Sequence, residues 1–317
     1  MNITEHIQKA KSTLFSFELL PPLKGENLQS IFNAIDPLLE YSPAYINVTY
    51  HREEVVYQKK TDGSLFPKVL RRRPGTVGIA AAIQHRYNLD VVPHLICGGF
   101  SIEETEDALI DFDFLGIQNI LAVRGDSDKI TGRFDPKPGG HRHSVELVKQ
   151  IMRMNNGKYI DENIDAANPT SFCIGVAGYP EKHAEAPNMA TDLMHLKEKI
   201  DAGAEYIVTQ LFFDNNKFFL FVENCRKIGI TVPIIPGIKP ISLKSHLNIL
   251  PRIFNVDLPE DLVHELNFCK DNKAARELGI EWAIKQTREL KEAGVPSIHF
   301  YTMGKSDNIA KIAKAIY

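Results

Sequence analysis

Cysteine is scarce in this chain. Only Cys97, Cys173, Cys225 and Cys269 occur in 317 residues, widely spaced and without a C-x-x-C pair, which excludes a disulfide framework and the thiolate metal sites built on close pairs. Reduced, buried thiols in a cytoplasmic protein are the expectation. No segment approaches the ~18 consecutive apolar residues of a membrane span. The N-terminal Ile3, Ile7 and Ala10 are separated by charges, so neither a span nor a signal peptide is expected. An excess of one charge is missing too: 37 Lys and Arg face 40 Asp and Glu, a balance that offers no general attraction to nucleic acid. Three catalytic signatures are also absent. Without H-E-x-x-H or a close Cys/His cluster no metal is expected, and without G-x-S-x-G there is no hydrolase elbow. Without G-x-G-x-x-G, a nucleotide cofactor would have to be held by loops and not by a Rossmann turn.

What is present is a repeated alternation. Eight short β-rich runs span 13–17, 44–49, 89–95, 119–123, 172–177, 206–211, 232–236 and 297–301. Most are near-continuous Val, Ile and Phe, as in parallel strands covered on both faces. Amphipathic helices are predicted between them over 29–40, 78–87, 102–115, 145–155, 189–202 and 217–228, several followed by a glycine, as at Gly116, Gly203, Gly229 and Gly294. A last helix starts at Ser306 or Asp307 and ends at Tyr317. Eight β/α alternations over this length point to one α/β domain, residues 1–317, folded as a (β/α)8 TIM barrel with an extra N-terminal helix and long βα loops. Segments 51–75 and 127–143 read as lids over the barrel mouth, and 155–170 as a polar surface excursion.

In such a barrel the polar residues that do chemistry sit at the C-terminal ends of strands. Glu18 is the most informative of them. It closes the run Phe15 to Leu20, and Pro21-Pro22 forbid the strand to continue. Apolar neighbours would disfavour its ionised form and let it serve as a general acid, although a glutamate at a strand end that points into solvent is the commoner occurrence. Further polar residues gather at the other strand ends: Thr49-Tyr50-His51, His94, Arg124-Gly125-Asp126, Tyr179 to His183, Gln210 and Tyr301. His94 reads equally as a core histidine, and Arg124 with Asp126 as an ion pair. On the helix after the fifth strand, Asp192, His195 and Lys199 share a face beside the apolar stripe Leu193, Leu196 and Ile200. That face is either solvated or able to grip polar parts of an extended ligand.

In their order and spacing, FELLPP (17–22), NVTY (47–50), PHLIC (93–97), AVRGD (122–126), AGYPEKHAEA (177–186), DAGAEYIVTQLFFD (201–214), IIPGIKP (234–240) and HFYTM (299–303) resemble the methylenetetrahydrofolate reductases. The resemblance implies a flavin-dependent oxidoreductase that takes electrons from NADH or NADPH through noncovalent FAD. It would reduce 5,10-methylenetetrahydrofolate to 5-methyltetrahydrofolate in a ping-pong cycle, supplying methyl groups for methionine synthesis. By matching positions, Glu18 is similar to the family's general acid, Asp126 to an aspartate between flavin and folate, and Gln210 to a substrate-orienting glutamine. Thr49, His94, Arg124, Gly125, His143, Ser144, Tyr179, His183, Asp192 and Lys199 match flavin-holding positions. Tyr301 and Lys305 fall on the folate side, with Lys305 where relatives often have an arginine, so a bidentate grip becomes a point charge. Glu198 replaces a basic residue of some relatives, and Leu250 lies near a position where some use an aromatic ring. The resemblance further implies a cytoplasmic homo-oligomer whose partners are small molecules, with no metal, no membrane, no nucleic acid and no C-terminal regulatory domain. The competing readings are another flavin barrel fed by a ferredoxin or partner subunit, and a folate- or flavin-binding subunit without turnover.

Overall fold

Proline and glycine cut the apolar runs of this chain into strands of four to seven residues, each too short to do anything but pair with a neighbour. The computed structural model describes residues 1–126, 133–164 and 167–317. In it, β1 (Leu14–Leu19), β2 (Tyr45–Val48), β5 (Asp90–Ile96), β6 (Asn119–Val123), β7 (Cys173–Gly178), β8 (Tyr206–Leu211), β9 (Ile234–Ile238) and β10 (Ser297–Tyr301) form a closed parallel barrel. Each strand pairs with the next in this order, and β10 closes onto β1. All eight are the strands expected from the sequence.

Alternation divides each strand between two cores. Phe15, Phe17 and Leu19 of β1, Ile46 and Val48 of β2, and Ile298 and Phe300 of β10 belong to the large core between barrel and helices. The opposite parity points inward and changes character along the axis. At the bottom Tyr45, Val92, Leu121, Tyr206, Val208 and Ile235 form an apolar plug. Ser16, Asn47, His94 and His299 follow, buried and polar. Above them come Glu18 and Tyr301, both half-buried. The expected N-terminal helix, α1 (Ile3–Lys9), seals the bottom: Ile3 is fully buried in the plug and its N–H donates to Asn119 Oδ1 at 2.9 Å. Truncating a side chain so placed costs on the order of 2–5 kcal/mol.

Helices α2 (Gln29–Ile35, extended by a 3-10 turn to Tyr41), α3 (Thr76–Tyr87), α4 (Ile102–Phe114), α5 (Ser144–Asn155), α6 (Met189–Asp201), α7 (Asn215–Lys227) and α11 (Asp307–Ile316) match expectation within a few residues. Gly116, Gly203, Gly229 and Gly294 all take positive φ after their helices. Three further helices, α8 (His246–Phe254), α9 (Glu260–Phe268) and α10 (Asn272–Glu292), were not anticipated. They build a satellite core of Leu211, Phe213, Ile241, Leu250, Leu262 and Leu266. Gly279 of α10 lies against the Ile241 backbone so closely that a Cβ there would stand 2.1 Å from its carbonyl oxygen. Leu250 is packed inside this core, against which Tyr301 also rests.

The 51–75 segment has secondary structure of its own. It is an antiparallel hairpin, β3 (Glu54–Lys59) with β4 (Leu65–Leu70), that carries Val55, Tyr57, Leu65, Phe66 and Val69 exposed. Of the other long segments, 127–132 and 165–166 lie outside the described residues. The rest of 155–170 is tied down by Asn155, which accepts from Thr170 Oγ1 at 2.7 Å and donates to Phe172 O at 2.9 Å. Cys97, Cys173 and Cys225 are buried and free as expected, whereas Cys269 is half-exposed at the end of α9.

Candidate active site

Glu18 lies at the C-terminal end of β1, opposite Tyr301 of β10 on one side and Asn47 of β2 on the other. Its parity turns the carboxyl into the barrel, while Phe17 and Leu19 face the helices. Among the described residues the carboxyl accepts no hydrogen bond. Burial strips water from the charged form and pushes its pKa up to about 8, against an opposing pull from Lys239. The group therefore keeps its proton at neutral pH, the property that a general acid needs. The main chain is held too, since Thr302 Oγ1 donates to Glu18 O at 2.7 Å.

A bulge on the far side of the mouth exposes the backbone to side-chain partners. The β8–β9 register slips between Val208 and Leu211, so Thr209 and Gln210 share the space of one residue. Tyr301 reaches across β9 to donate its hydroxyl to Thr209 O at 2.6 Å, and Thr209 Oγ1 accepts from Gly237 N at 3.0 Å. Gly237 is needed for this crossing: a Cβ there would meet the Tyr301 ring at 2.6 Å and Thr209 O at 2.3 Å. Gln210, half-buried at the bulge, accepts from Leu211 N at 2.9 Å through Oε1, and among the described residues its amide N–H groups donate to none, so they can turn to a ligand.

Beneath the mouth lies a belt of neutral polar groups. Ser16 Oγ is 3.1 Å from His299 Nδ1, and Asn47 Nδ2 donates to His94 Nε2 at 3.2 Å. Burial depresses both imidazoles to about 3, helped by His51 beside His94 and by His94 beside His299. Asn47 Oδ1 is buried with no partner among the described residues. A flat heterocycle bringing an N–H into the mouth would satisfy that acceptor.

The cationic side of the mouth is made by β6, β7 and α6. Arg124 leaves the end of β6 and forms a bidentate pair with Glu185 at 2.6 and 2.8 Å, its guanidinium lying over the Phe134 ring. Gly125 follows with φ +91°, a conformation that a side chain rarely adopts. Lys199 of α6 donates to Ala177 O at 2.8 Å, and burial lowers its pKa to about 8 although Asp192 opposes this. Asp192 accepts from His183 N at 3.0 Å. His183 stacks edge-on against Tyr179, and its pKa is lowered by burial and then by Arg124. These residues form one cluster with two cations, which fits a diphosphate. Thr49 stands on the other side, bonded to Leu19 O at 3.2 Å.

Several expected residues lie further out. Asp126 and Lys305 are exposed, His143 is the exposed N-cap of α5, and Ser144 is that helix's first residue. His195 points to solvent, so only Asp192 and Lys199 of the proposed trio reach the cluster. Among the described residues Arg124 pairs with Glu185, a partner that sequence spacing did not suggest, and not with Asp126. Sequence reading also passed over Lys239, which is buried at the end of β9. Its signal was available in IIPGIKP, where Lys239 shares the parity of the inward Ile235 and Gly237.

Fold and site define a (β/α)8 barrel whose mouth joins a protonated carboxyl to a cluster suited to an anionic ligand. The chain belongs to the methylenetetrahydrofolate reductase family, whose profile, described as "Methylenetetrahydrofolate reductase", matches residues 2–317. It is 31% identical to the 5,10-methylenetetrahydrofolate reductase of Escherichia coli over 92% of this chain and 86% of that one. It is 35% identical to methylenetetrahydrofolate reductase (NADH) 1 of Arabidopsis thaliana, over 92% of this chain and 46% of the relative. A probable methylenetetrahydrofolate reductase (NADH) of rice gives 32% over 96% and 48%. The chain thus spans about half the length of these plant relatives. A solved barrel from Clostridium thermocellum, described as binding two copies of 5-methyl-5,6,7,8-tetrahydrofolic acid, superposes with a TM-score of 0.61 at 13% identity, over 99% of this chain and 97% of that one, and shares the fold.

Proposed function

We propose that this protein reduces 5,10-methylenetetrahydrofolate to 5-methyltetrahydrofolate, with electrons from NADH or NADPH passing through a noncovalently bound FAD. The single observation that carries the reading is the Glu18 carboxyl, kept protonated at the barrel mouth by burial. Family membership supports it, as does a barrel of like fold described as binding the proposed product.

In this mechanism Glu18 donates its proton to N10 of the folate. The bond from N10 to the bridging methylene breaks with its electron pair going to N10, and the five-membered ring opens to an iminium. FAD, when bound, supplies the hydride that the iminium carbon accepts. Arg124 and Lys199 would hold its diphosphate, with Tyr179, His183, Asp192, Thr49, Gly125, His143 and Ser144 around the rest. His94 and Asn47 would form the floor of the cofactor site. Asp126, exposed after β6, would bring a negative charge toward the cationic folate intermediate, Gln210 would orient the substrate, and Tyr301 with the exposed Lys305 would complete the folate side. A neutral belt under Glu18 suits this chemistry, because it adds no fixed charge beneath the proton donor. Supply of methyl groups for methionine synthesis follows from the product. The same reading makes the protein a cytoplasmic homo-oligomer without nucleic-acid or membrane partners. Free cysteines and balanced charge support the compartment, and no helix among the described residues is long and apolar enough to cross a membrane.

Anaerobic stopped-flow spectroscopy tests the proposal. The purified protein should be yellow, bleach with NADH or NADPH, and recover its colour with methylenetetrahydrofolate. A protein that stays colourless after reconstitution with FAD overturns the reading. A yellow protein that ignores both nicotinamides yet, once bleached by dithionite, is reoxidised by the folate would belong to a system in which a partner subunit feeds the electrons.

A further inference from the structure

Glu18 is not the only ionisable group that a proline-terminated strand delivers to the barrel mouth. Lys239 follows β9 directly and is itself followed by Pro240, which ends the ladder by lacking an N–H and keeps Lys239 extended. Its parity is that of Ile235, which belongs to the inward plug, whereas Ile234 and Ile238 pack against the helices. Lys239 therefore points into the barrel, and it is only 8% exposed. Among the described residues its ammonium has no hydrogen bond and no ion pair within 4 Å. A largely buried cation without a hydrogen bond or ion pair loses much of its hydration, a cost that a facing carboxylate would offset.

The register shows what lies opposite. Glu18 pairs with Tyr301, and Phe300 pairs with Ile238, so one further step places Lys239 level with Tyr301. Glu18 and Lys239 thus occupy the same level of the rim, separated around the barrel by β10 alone. Tyr301, the residue between them, has its hydroxyl committed to Thr209 O and its ring lodged over Gly237. It bridges neither group.

We propose that Lys239 is the counter-charge for Glu18: its ammonium stabilises the carboxylate left when Glu18 has given its proton to the folate. Lys239 neither gives nor takes a proton in that step, so it is a positioning residue that acts through Glu18. The inference rests on the folate-reducing role proposed above. Each group feels the other, Lys239 favouring the ionised carboxylate and Glu18 favouring the ammonium, while burial brings both to about 8. The other titratable neighbours are neutral at working pH. Tyr301 is raised by burial and by Glu18, with Tyr179 adding to it, and His246, close to Lys239, is depressed to about 4. His246 Nδ1 accepts from Ser242 N at 3.3 Å, which suits the uncharged ring. Lys239 is thus the cation that meets the developing negative charge.

The test compares the two half-reactions of the FAD-loaded enzyme in K239M and K239R. Flavin reduction by the nicotinamide should be unchanged in both. In K239M the folate half-reaction should slow roughly tenfold and its alkaline limb should move up by about one pH unit, as expected when an opposite charge is removed from a carboxyl. K239R should restore most of the rate and the original limb. An unchanged rate and limb in K239M overturns the proposal, and so does loss of FAD or of nicotinamide oxidation, which would make Lys239 a flavin ligand. If the wild-type enzyme reduces no folate, the broader function fails instead, and the two failures are distinct. A readout independent of turnover comes from NMR of lysine labelled with 13C at Cε, the Lys239 signal being assigned by its loss in K239R. In E18Q its titration midpoint should fall, because the carboxylate that raises it is gone; an unmoved midpoint overturns the coupling.

Discussion

The Tyr301 hydroxyl donates to Thr209 O at 2.6 Å, passing over Gly237 to reach it. One side chain thereby ties β10 to β8 and uses the carbonyl that the bulge releases from the ladder. Y301F should cost about 1–2 kcal/mol of stability, because it leaves that carbonyl without a partner. Gly237→Ala should cost about 1–3 kcal/mol by overpacking, and it should displace the ring as well. Urea denaturation compares the two. Equal stability of Gly237→Ala and wild type would contradict the crossing.

Glu18→Gln should retain nicotinamide oxidation and lose folate reduction by roughly 10²- to 10⁴-fold, the usual range for a general acid. In the wild type the folate half-reaction should decline as pH rises through about 8, where Glu18 gives up its proton. Equal loss of both half-reactions in the variant would remove Glu18 from its assigned role.

The same carboxyl shapes stability. Its folded pKa of about 8 lies above the ordinary 4.5, so its contribution is full below 4.5 and is lost as pH rises through about 8. The melting temperature of Glu18→Gln relative to wild type should therefore climb across that window. A difference that stays flat from pH 5 to 8 would show that Glu18 titrates normally.

The buried imidazoles act with the opposite sign. His94 and His299 are held near 3 instead of 6.5, so their contribution is present above 6.5 and is lost as pH falls toward 3. His299→Asn should take up about one proton fewer on unfolding at pH 4–5, which is measurable as a shallower loss of stability with acidification. An unchanged slope would mean that His299 is charged in the fold.

Arg124 is held by Glu185 through two hydrogen bonds, so a diphosphate must compete with that carboxylate. Arg124→Ala should weaken FAD binding by at least about tenfold, the loss of one charge-assisted contact. Glu185→Ala should leave binding equal or tighter. Isothermal titration of the apoprotein with FAD reads both, and weaker binding in Glu185→Ala would assign that carboxylate to the cofactor instead.

The eight barrel strands were legible because each is a short, continuous β-branched or aromatic run ended by proline, glycine or a helix signal. The anticipated helices between the strands declared themselves by apolar spacing, several with a terminal glycine. The hairpin Glu54–Leu70 escaped because its apolar residues are exposed and its strands serve no core. Helices α8 to α10 escaped because they interrupt the simple β/α rhythm after β9 with an additional core of their own.

By itself the sequence determined a closed barrel and the placing of polar residues, Glu18 among them, at its strand ends, since strand lengths and proline stops are local properties; the burial that protonates Glu18 came from barrel closure. Tertiary structure alone decided which polar groups meet. Tyr301 with Thr209, Arg124 with Glu185, Ser16 with His299 and Glu18 with Lys239 are brought together by barrel closure and register, over separations of 61 to 283 residues for the three hydrogen-bonded pairs. A lysine after a strand reads the same whether it faces water or the barrel. Only the packing of Ile238 against the helices turns Lys239 toward the carboxyl that it serves.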